Sequence, residues 1–182
     1  MKLTTSESLG LLQVGDSSDH SLDALMDPLQ SKYPWFEVET LPPFLDIAEA
    51  FDSRRIQYHS TRILALLEKH IQSTQVCRLL AITDYDIYAP GMNFVFGEAR
   101  LAGRVGVIST HRLKATGSET HSLYAERMVK EAVHEVGHTL GLNHCQDELC
   151  VMHLSESLED TDMKGSSLCG KCQQALVELR NE

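Results

Sequence analysis

The side chains with the clearest chemistry stand in one stretch of eleven residues, His134-Glu135-Val136-Gly137-His138-Thr139-Leu140-Gly141-Leu142-Asn143-His144. On an α-helix, residues four apart differ by about 40° in direction and about 6 Å in rise, so His134 and His138 can turn both imidazoles to one metal ion. Glu135 points about 100° away from His134, close enough to reach a water on that ion without ligating it. Continued helix would carry the chain away from the metal. Gly141 takes the left-handed conformation cheaply and ends the helix, so His144 can return as a third nitrogen. Three imidazoles suit zinc, and three protein ligands leave a fourth position for water, the mark of a catalytic site. Three surface histidines on a glycine-capped helix would need no such spacing. A string that fixes five positions in eleven favours the metal.

Four of the five cysteines, Cys145, Cys150, Cys169 and Cys172, also crowd into this end of the chain. In a reducing compartment, clustered thiols point to metal rather than to disulfides. Cys77 opens the apolar run Cys-Arg-Leu-Leu-Ala-Ile, and a buried strand residue is expected there. Met152 follows His144 by eight residues; on its own a methionine this close to a helix reads as a packing residue. His153 is read as a loop histidine.

Something must hold these residues in place. Residues 122–140 form the longest helical pattern, with Val129, Ala132, Val133, Val136 and Leu140 as the core stripe and Glu126, Arg127, Lys130, Glu131, His134, Glu135 and His138 off it. Upstream, residues 21–31 and 60–72 carry helical spacing, the latter through Ile63, Leu64, Leu66, Leu67 and Ile71. Strands are expected at 8–14, 35–40, 77–83, 92–96 and 103–109, with turn chemistry over 84–91. This β-α-β-α-β-β-β order implies an α/β (α+β) architecture, with helices packed on a mixed sheet. The 182 residues make one domain: residues 1–141 as an N-terminal lobe with the metal-site helix, and 142–182 as a small lobe. That small lobe is rich in Cys, Ser, Gly and acids and needs more than an apolar core to hold it.

With 42% apolar residues the chain can build a core, and its formal charge is −10 with no basic block. That balance argues against nucleic acid or an anionic membrane as partner. Met1-Lys2-Leu3-Thr4-Thr5 carries no signal-peptide pattern, 9–14 is too short for an h-region, and no run reaches the roughly 18 apolar residues of a membrane span. A soluble cytoplasmic protein, monomeric, is the expectation.

The eleven-residue string is the metzincin signature, a zinc-peptidase motif with a downstream methionine turn. The cysteine set directly after His144, with Cys150-Val-Met152 and Cys169-Gly-Lys-Cys172, resembles the archaemetzincins, as do Asp84-Tyr-Asp86 and Asn93-Phe-Val-Phe-Gly-Glu98. The resemblance implies a metzincin-like fold and a peptidase with two zinc ions. One would be catalytic on His134, His138 and His144, with Glu135 as general base and Met152 as the Met-turn. The other would be structural on Cys145, Cys150, Cys169 and Cys172. Four thiolates close a tetrahedral shell, which agrees with a structural role and supplies what a lobe of about 40 residues lacks. The resemblance also implies an extended peptide substrate laid against a sheet edge, here Asn93, Phe94, Val95, Phe96 and Gly97. The rival readings are a zinc-stabilised peptide- or protein-binding module with little or no peptidase activity, a zinc-ribbon nucleic-acid module, and a hydrolase of non-peptide amides. Retention of Glu135 speaks against the first, and the missing basic face against the second.

Overall fold

A computed structural model of the chain describes residues 7–15, 22–44, 46–114 and 121–181. The chain start read for a signal peptide, and Ser21 of the first expected helix, lie outside these residues.

The elements run β1 (Glu7–Gln13), α1 (Asp23–Lys32), β2 (Phe36–Thr40), a 3-10 turn (Ala48–Ala50), β3 (Phe51–Asp52), β4 (Gln57–His59), α2 (Ser60–His70), β5 (Arg78–Thr83), β6 (Ile87–Tyr88), β7 (Gly97–Ala99), β8 (Val105–Ser109), α3 (His121–Thr139), α4 (Leu158–Met163) and α5 (Gly170–Asn181). The main sheet has the order β2-β1-β5-β8-β7, parallel except for β7. Its central strands are apolar on both faces because helices cover both. Leu80, Ile82 and Ile108 face one core, which α1 and α3 close with Leu25, Leu29, Met128, Ala132 and Val136. Their neighbours Leu79, Ala81, Val105 and Val107 face the other, closed by Ile63, Leu64 and Leu67 of α2. Leu142, Val151, Met152 and Leu176 join the first of these cores, so the C-terminal segment packs directly on α3.

Three expectations need correcting. Residues 92–96 are not a strand. The Val95 N–H bonds to the Ile87 carbonyl at 3.0 Å, while Arg55 Nη2 reaches the carbonyls of Met92 (3.2 Å) and Asn93 (2.8 Å) and Gln57 Nε2 donates to Asn93 (3.1 Å). Side chains thus take up the Met92 and Asn93 carbonyls, and β6 takes the Val95 N–H, all of which a ladder would have used. The edge strand is β7, registered antiparallel on β8 as Gly97↔Ile108, Glu98↔Val107 and Ala99↔Gly106. Cys77 is exposed: β5 begins at Arg78, and Cys77 gives its N–H to Ser8 and its carbonyl to Arg104 Nε (2.8 Å). Arg127, Lys130 and Glu131, expected off the core face of α3, are buried. They face α4, an element whose capping box (Ser157 with Asp160) the composition of the segment had hidden. The small sheet β3-β4-β6 was also missed, because strands of two or three residues carry no readable period.

Candidate active site

The site is assembled where α3 runs beneath the β7 edge. His134, Glu135 and His138 stand on the last two turns of α3. The helix then stops in a Schellman turn: the Leu142 N–H bonds to the Gly137 carbonyl (3.1 Å) and the Gly141 N–H to that of His138 (2.9 Å), with Gly141 at φ +98°. His144 comes back from this turn, and the three ring centroids lie 4.6, 4.8 and 5.4 Å apart. One nitrogen from each ring can be chosen so that all three lie within 4.8 Å of one another.

Hydrogen bonds fix two of those nitrogens. His134 Nδ1 meets the Val151 carbonyl at 2.7 Å and His138 Nδ1 meets that of Leu142 at 2.7 Å. A carbonyl only accepts, so both Nδ1 atoms carry the proton and both Nε2 atoms present lone pairs. Those two Nε2 atoms face each other at 3.0 Å. Two lone pairs so placed repel unless a cation binds both, and the separation suits two ligands on one zinc at about 2.0–2.1 Å each. Burial holds His134 well below the ordinary imidazole value and brings His138 down to about 4, and His144 is lowered too, first by burial and then by Lys164. The neutral, ligating form is therefore favoured at all three positions. The residues present fit zinc.

Glu135 lies beside them, buried, with Oε2 lacking any partner among the described residues. Burial, with the Glu131 carboxylate adding to it, pushes Glu135 well above the usual carboxylate range. An underfed carboxylate of this kind is a good proton acceptor. The room for it comes from Gly97, where a Cβ would stand only 2.7 Å from Glu135 Cγ. Gly137 serves the other side of the helix: a Cβ there would meet Met152 Sδ at 2.5 Å. Met152 is fully buried, and the Val151 carbonyl before it is the group that aims His134. His153 turns its Nδ1 to the Cys145 carbonyl (3.0 Å), away from the histidine cluster.

Nitrogens and carboxylate open into a cleft of about 650 Å³, walled above by residues 91–99 and below by Leu154, Ser155 and Glu156. Asn93, Phe94, Val95, Phe96 and Gly97 all line it, although only Gly97 belongs to the edge strand. The Ser109 N–H bonds to the Phe96 carbonyl (2.7 Å) and the Arg100 N–H to that of Val105 (3.0 Å). Antiparallel pairing alternates, so the N–H and C=O groups of Gly97 and Ala99 point away from β8, to the free edge.

Next to His144, the sulfurs of Cys145, Cys150, Cys169 and Cys172 also lie within 4.8 Å of one another, with Cys145 and Cys169 3.7 Å apart. That spacing is far too long for a disulfide and right for thiolates on one zinc at about 2.3 Å. Backbone N–H groups point at them: Asp147 N at Cys145 Sγ (3.4 Å) and Cys169 N at Cys150 Sγ (3.3 Å).

Sequence reasoning missed Lys164. Its Nζ sits 3.0 Å from Glu131 Oε1, with neither side chain more than 4% exposed. A lone lysine in a polar loop gives no signal of burial in one sequence; the pairing becomes visible only once α4 is folded onto α3.

An open three-histidine site with a buried carboxylate, on a sheet-and-helix frame with an antiparallel edge strand, defines a zinc metallopeptidase of metzincin fold. Comparison with known proteins narrows this. The profile of Peptidase family M54 matches residues 39–178. Archaemetzincin of Archaeoglobus fulgidus is 44% identical over 155 residues, covering 85% of this chain and 90% of that one. The crystal structure of archaemetzincin from Methanopyrus kandleri superposes with a TM-score of 0.88 at 33% identity over the full length of both chains, and that from A. fulgidus with 0.79 at 40% over 92% and 98%. The chain belongs to this family, the archaemetzincins of Peptidase family M54. It is a zinc-dependent hydrolase acting on peptide bonds, with a peptide or protein as substrate. Among the described residues, no helix is long and apolar enough to cross a membrane.

Proposed function

We propose that the chain cleaves an extended peptide laid along the free edge of β7, with His134, His138 and His144 holding the catalytic zinc and Glu135 acting as the base. A second, structural zinc is held by Cys145, Cys150, Cys169 and Cys172. The observation that carries this reading is the pair of facing Nε2 lone pairs beside a buried carboxylate oxygen that nothing among the described residues satisfies.

Zinc bound by the histidines supplies a Lewis acid that polarises water and the scissile carbonyl. The chain's own residues do the rest. Gly97 and Ala99 offer outward N–H and C=O groups for strand pairing, which fixes the peptide backbone over the cleft. Glu135 takes the proton of the attacking water at its free oxygen and delivers it to the leaving amine. Met152 and Gly137 form the floor under the histidines. Residues 1–141 and 142–182 are the two lobes of one catalytic domain, and residues 142–182 supply both the third histidine and the cysteine cluster. We place the protein in the cytoplasm as a monomer, on the support of free thiols kept for metal and of exposed apolar side chains scattered over separate elements, such as Ile56, Leu149, Met163 and Val177. A net charge of −10 supports a partner other than nucleic acid.

Glu135→Gln tests the reading. It keeps the shape of the side chain and all three imidazoles but removes the proton acceptor. Turnover of a library peptide should fall by about 10²–10⁴, while zinc content and peptide affinity stay at wild-type levels. A wild-type protein that cleaves no member of a broad library, with a variant that binds the same peptides equally well, would leave a binding module instead.

A further inference from the structure

The face of α3 away from the sheet carries charges that bury themselves against α4. Arg127 grips Asp162 with two bonds, 2.7 and 2.6 Å. One turn on, Lys130 Nζ reaches the carbonyls of Thr161 and Asp162 (both 3.1 Å) and Glu126 (2.8 Å). These contacts already dock α4. Beyond them lies a third group, deeper than the others: Glu131 Oε1 accepts from Lys164 Nζ (3.0 Å) and from Thr161 Oγ1 (3.2 Å), and Lys164 Nζ also points at the His153 carbonyl (3.4 Å).

A fully buried ion pair is a poor way to gain stability, because taking both charges out of water costs about as much as their attraction returns. An apolar pair of the same volume would fill the space as well. What it could not do is join the two places where this ammonium ends. One is Glu131, which lines the substrate cleft one turn before His134 and Glu135. The other is the loop whose Val151 carbonyl orients His134 and whose Met152 packs on Gly137. The Met152 carbonyl in turn holds the Cys145 N–H (2.9 Å), next to His144. A single three-donor cation therefore spans the catalytic helix and the loop that aims its first ligand.

We infer that Lys164, acting through Glu131 and the His153 carbonyl, is a positioning residue that sets the spacing between the catalytic helix and the Met152 loop. The inference rests on the proposed roles of His134, Glu135 and Met152. Groups that orient metal ligands from behind are worth about 10–100-fold in metal affinity or activity, and a displacement of about 1 Å at reacting groups costs about 10²-fold.

The test is the double variant Glu131→Gln with Lys164→Met, which removes both charges together and leaves neither buried alone. It should take up as much zinc as wild type and melt within a few degrees of it. Its kcat should fall at least tenfold with KM within twofold, and the visible spectrum of the cobalt-substituted protein should change. Wild-type kcat with an unchanged cobalt spectrum would reduce the pair to a structural contact and overturn the inference. If the double variant does not fold, Glu131→Asp decides: it keeps the ion pair but shortens the carboxylate arm by one methylene. Positioning then requires a lower kcat and an altered spectrum, and wild-type behaviour on both counts rejects it. Because the cobalt spectrum is read without substrate, a failure of peptide cleavage in the wild type would strike the proposed function and leave this inference still measurable.

Discussion

His144 and Cys145 are neighbours in sequence, yet the constellations they belong to are built in opposite ways. The histidines draw two ligands from consecutive turns of a 19-residue helix, lock their Nδ1 atoms onto backbone carbonyls, and leave one side open to the cleft. The cysteines come mostly from loops, bring four sulfurs within 4.8 Å of one another, and receive backbone N–H groups at Cys145 and Cys150. There the N–H of Cys172 draws Cys169 down to about 7, while burial pushes the Cys150 and Cys172 thiols up. A cation bound there, as proposed, would resolve that conflict by taking over the charge of the buried sulfurs. The difference teaches that helix α3 by itself sets the spacing of its two histidines, whereas the cysteines sit mostly on loops, and on the proposed assignment those loops would need the metal to keep their shape.

The sharpest way to break that contrast is to remove one ligand from each site. Cys169→Ser should cost stability on the order of 10 kcal/mol, the scale of a structural zinc in a small module, and should release residues 142–182 from α3. His138→Ala should abolish turnover and leave the melting temperature near that of wild type. Equal melting temperatures for the two variants would dissolve the division of labour.

A second, smaller effect comes from acid. With catalytic metal removed, the folded histidines titrate below their ordinary value, His138 at about 4. Between about pH 6.5 and pH 4 the unfolded chain therefore binds more protons than the folded one, and stability falls as pH is lowered through that window. A tenfold loss of proton affinity on folding is worth about 1.4 kcal/mol, so His138 alone accounts for on the order of 3 kcal/mol across it. Thermal melts of chelator-treated protein should show this slope, and His138→Ala should lessen it by the His138 share, leaving that of His134 and His144. A flat profile in the wild type would mean that the histidine site is not pre-formed.

The smallest expected effect concerns the open side. Proline is tolerated on an edge strand where its missing N–H faces away from the ladder. Ala99→Pro should therefore keep β7 paired and the zinc bound, while kcat/KM for peptides falls by about tenfold, one lost hydrogen bond's worth. Replacing Val95 would not test this, because its N–H is already spent on Ile87. Undiminished cleavage by a folded Ala99→Pro protein would place the substrate elsewhere in the cleft.

The spacing of His134, Glu135, His138, Gly141 and His144 was enough by itself to name the metal and the reaction, because a helix converts intervals of four into a shared direction and glycine alone turns cheaply at its end. That the four cysteines come together was equally legible, because clustered thiols near one another in sequence are brought together by short loops. Helices α1, α2 and α3 followed from their apolar period and the central strands from their apolar runs, whereas α4 and the 12-residue α5 were not expected. What the sequence could not place was whatever depends on a partner remote in the chain. Residues 92–96 read as an edge strand, but Arg55 and Gln57 claim the Met92 and Asn93 carbonyls, and the edge falls to Gly97–Ala99. Gly97 read as part of a peptide-binding strand; its missing side chain is also the space that Glu135 occupies. Arg127, Lys130 and Glu131 read as lying off the core stripe of their helix, and nothing in the sequence singled out Lys164. Their burial was decided only when α4 folded back onto α3, because a charge enters a core only where another chain segment brings its counter-charge and hydrogen bonds with it.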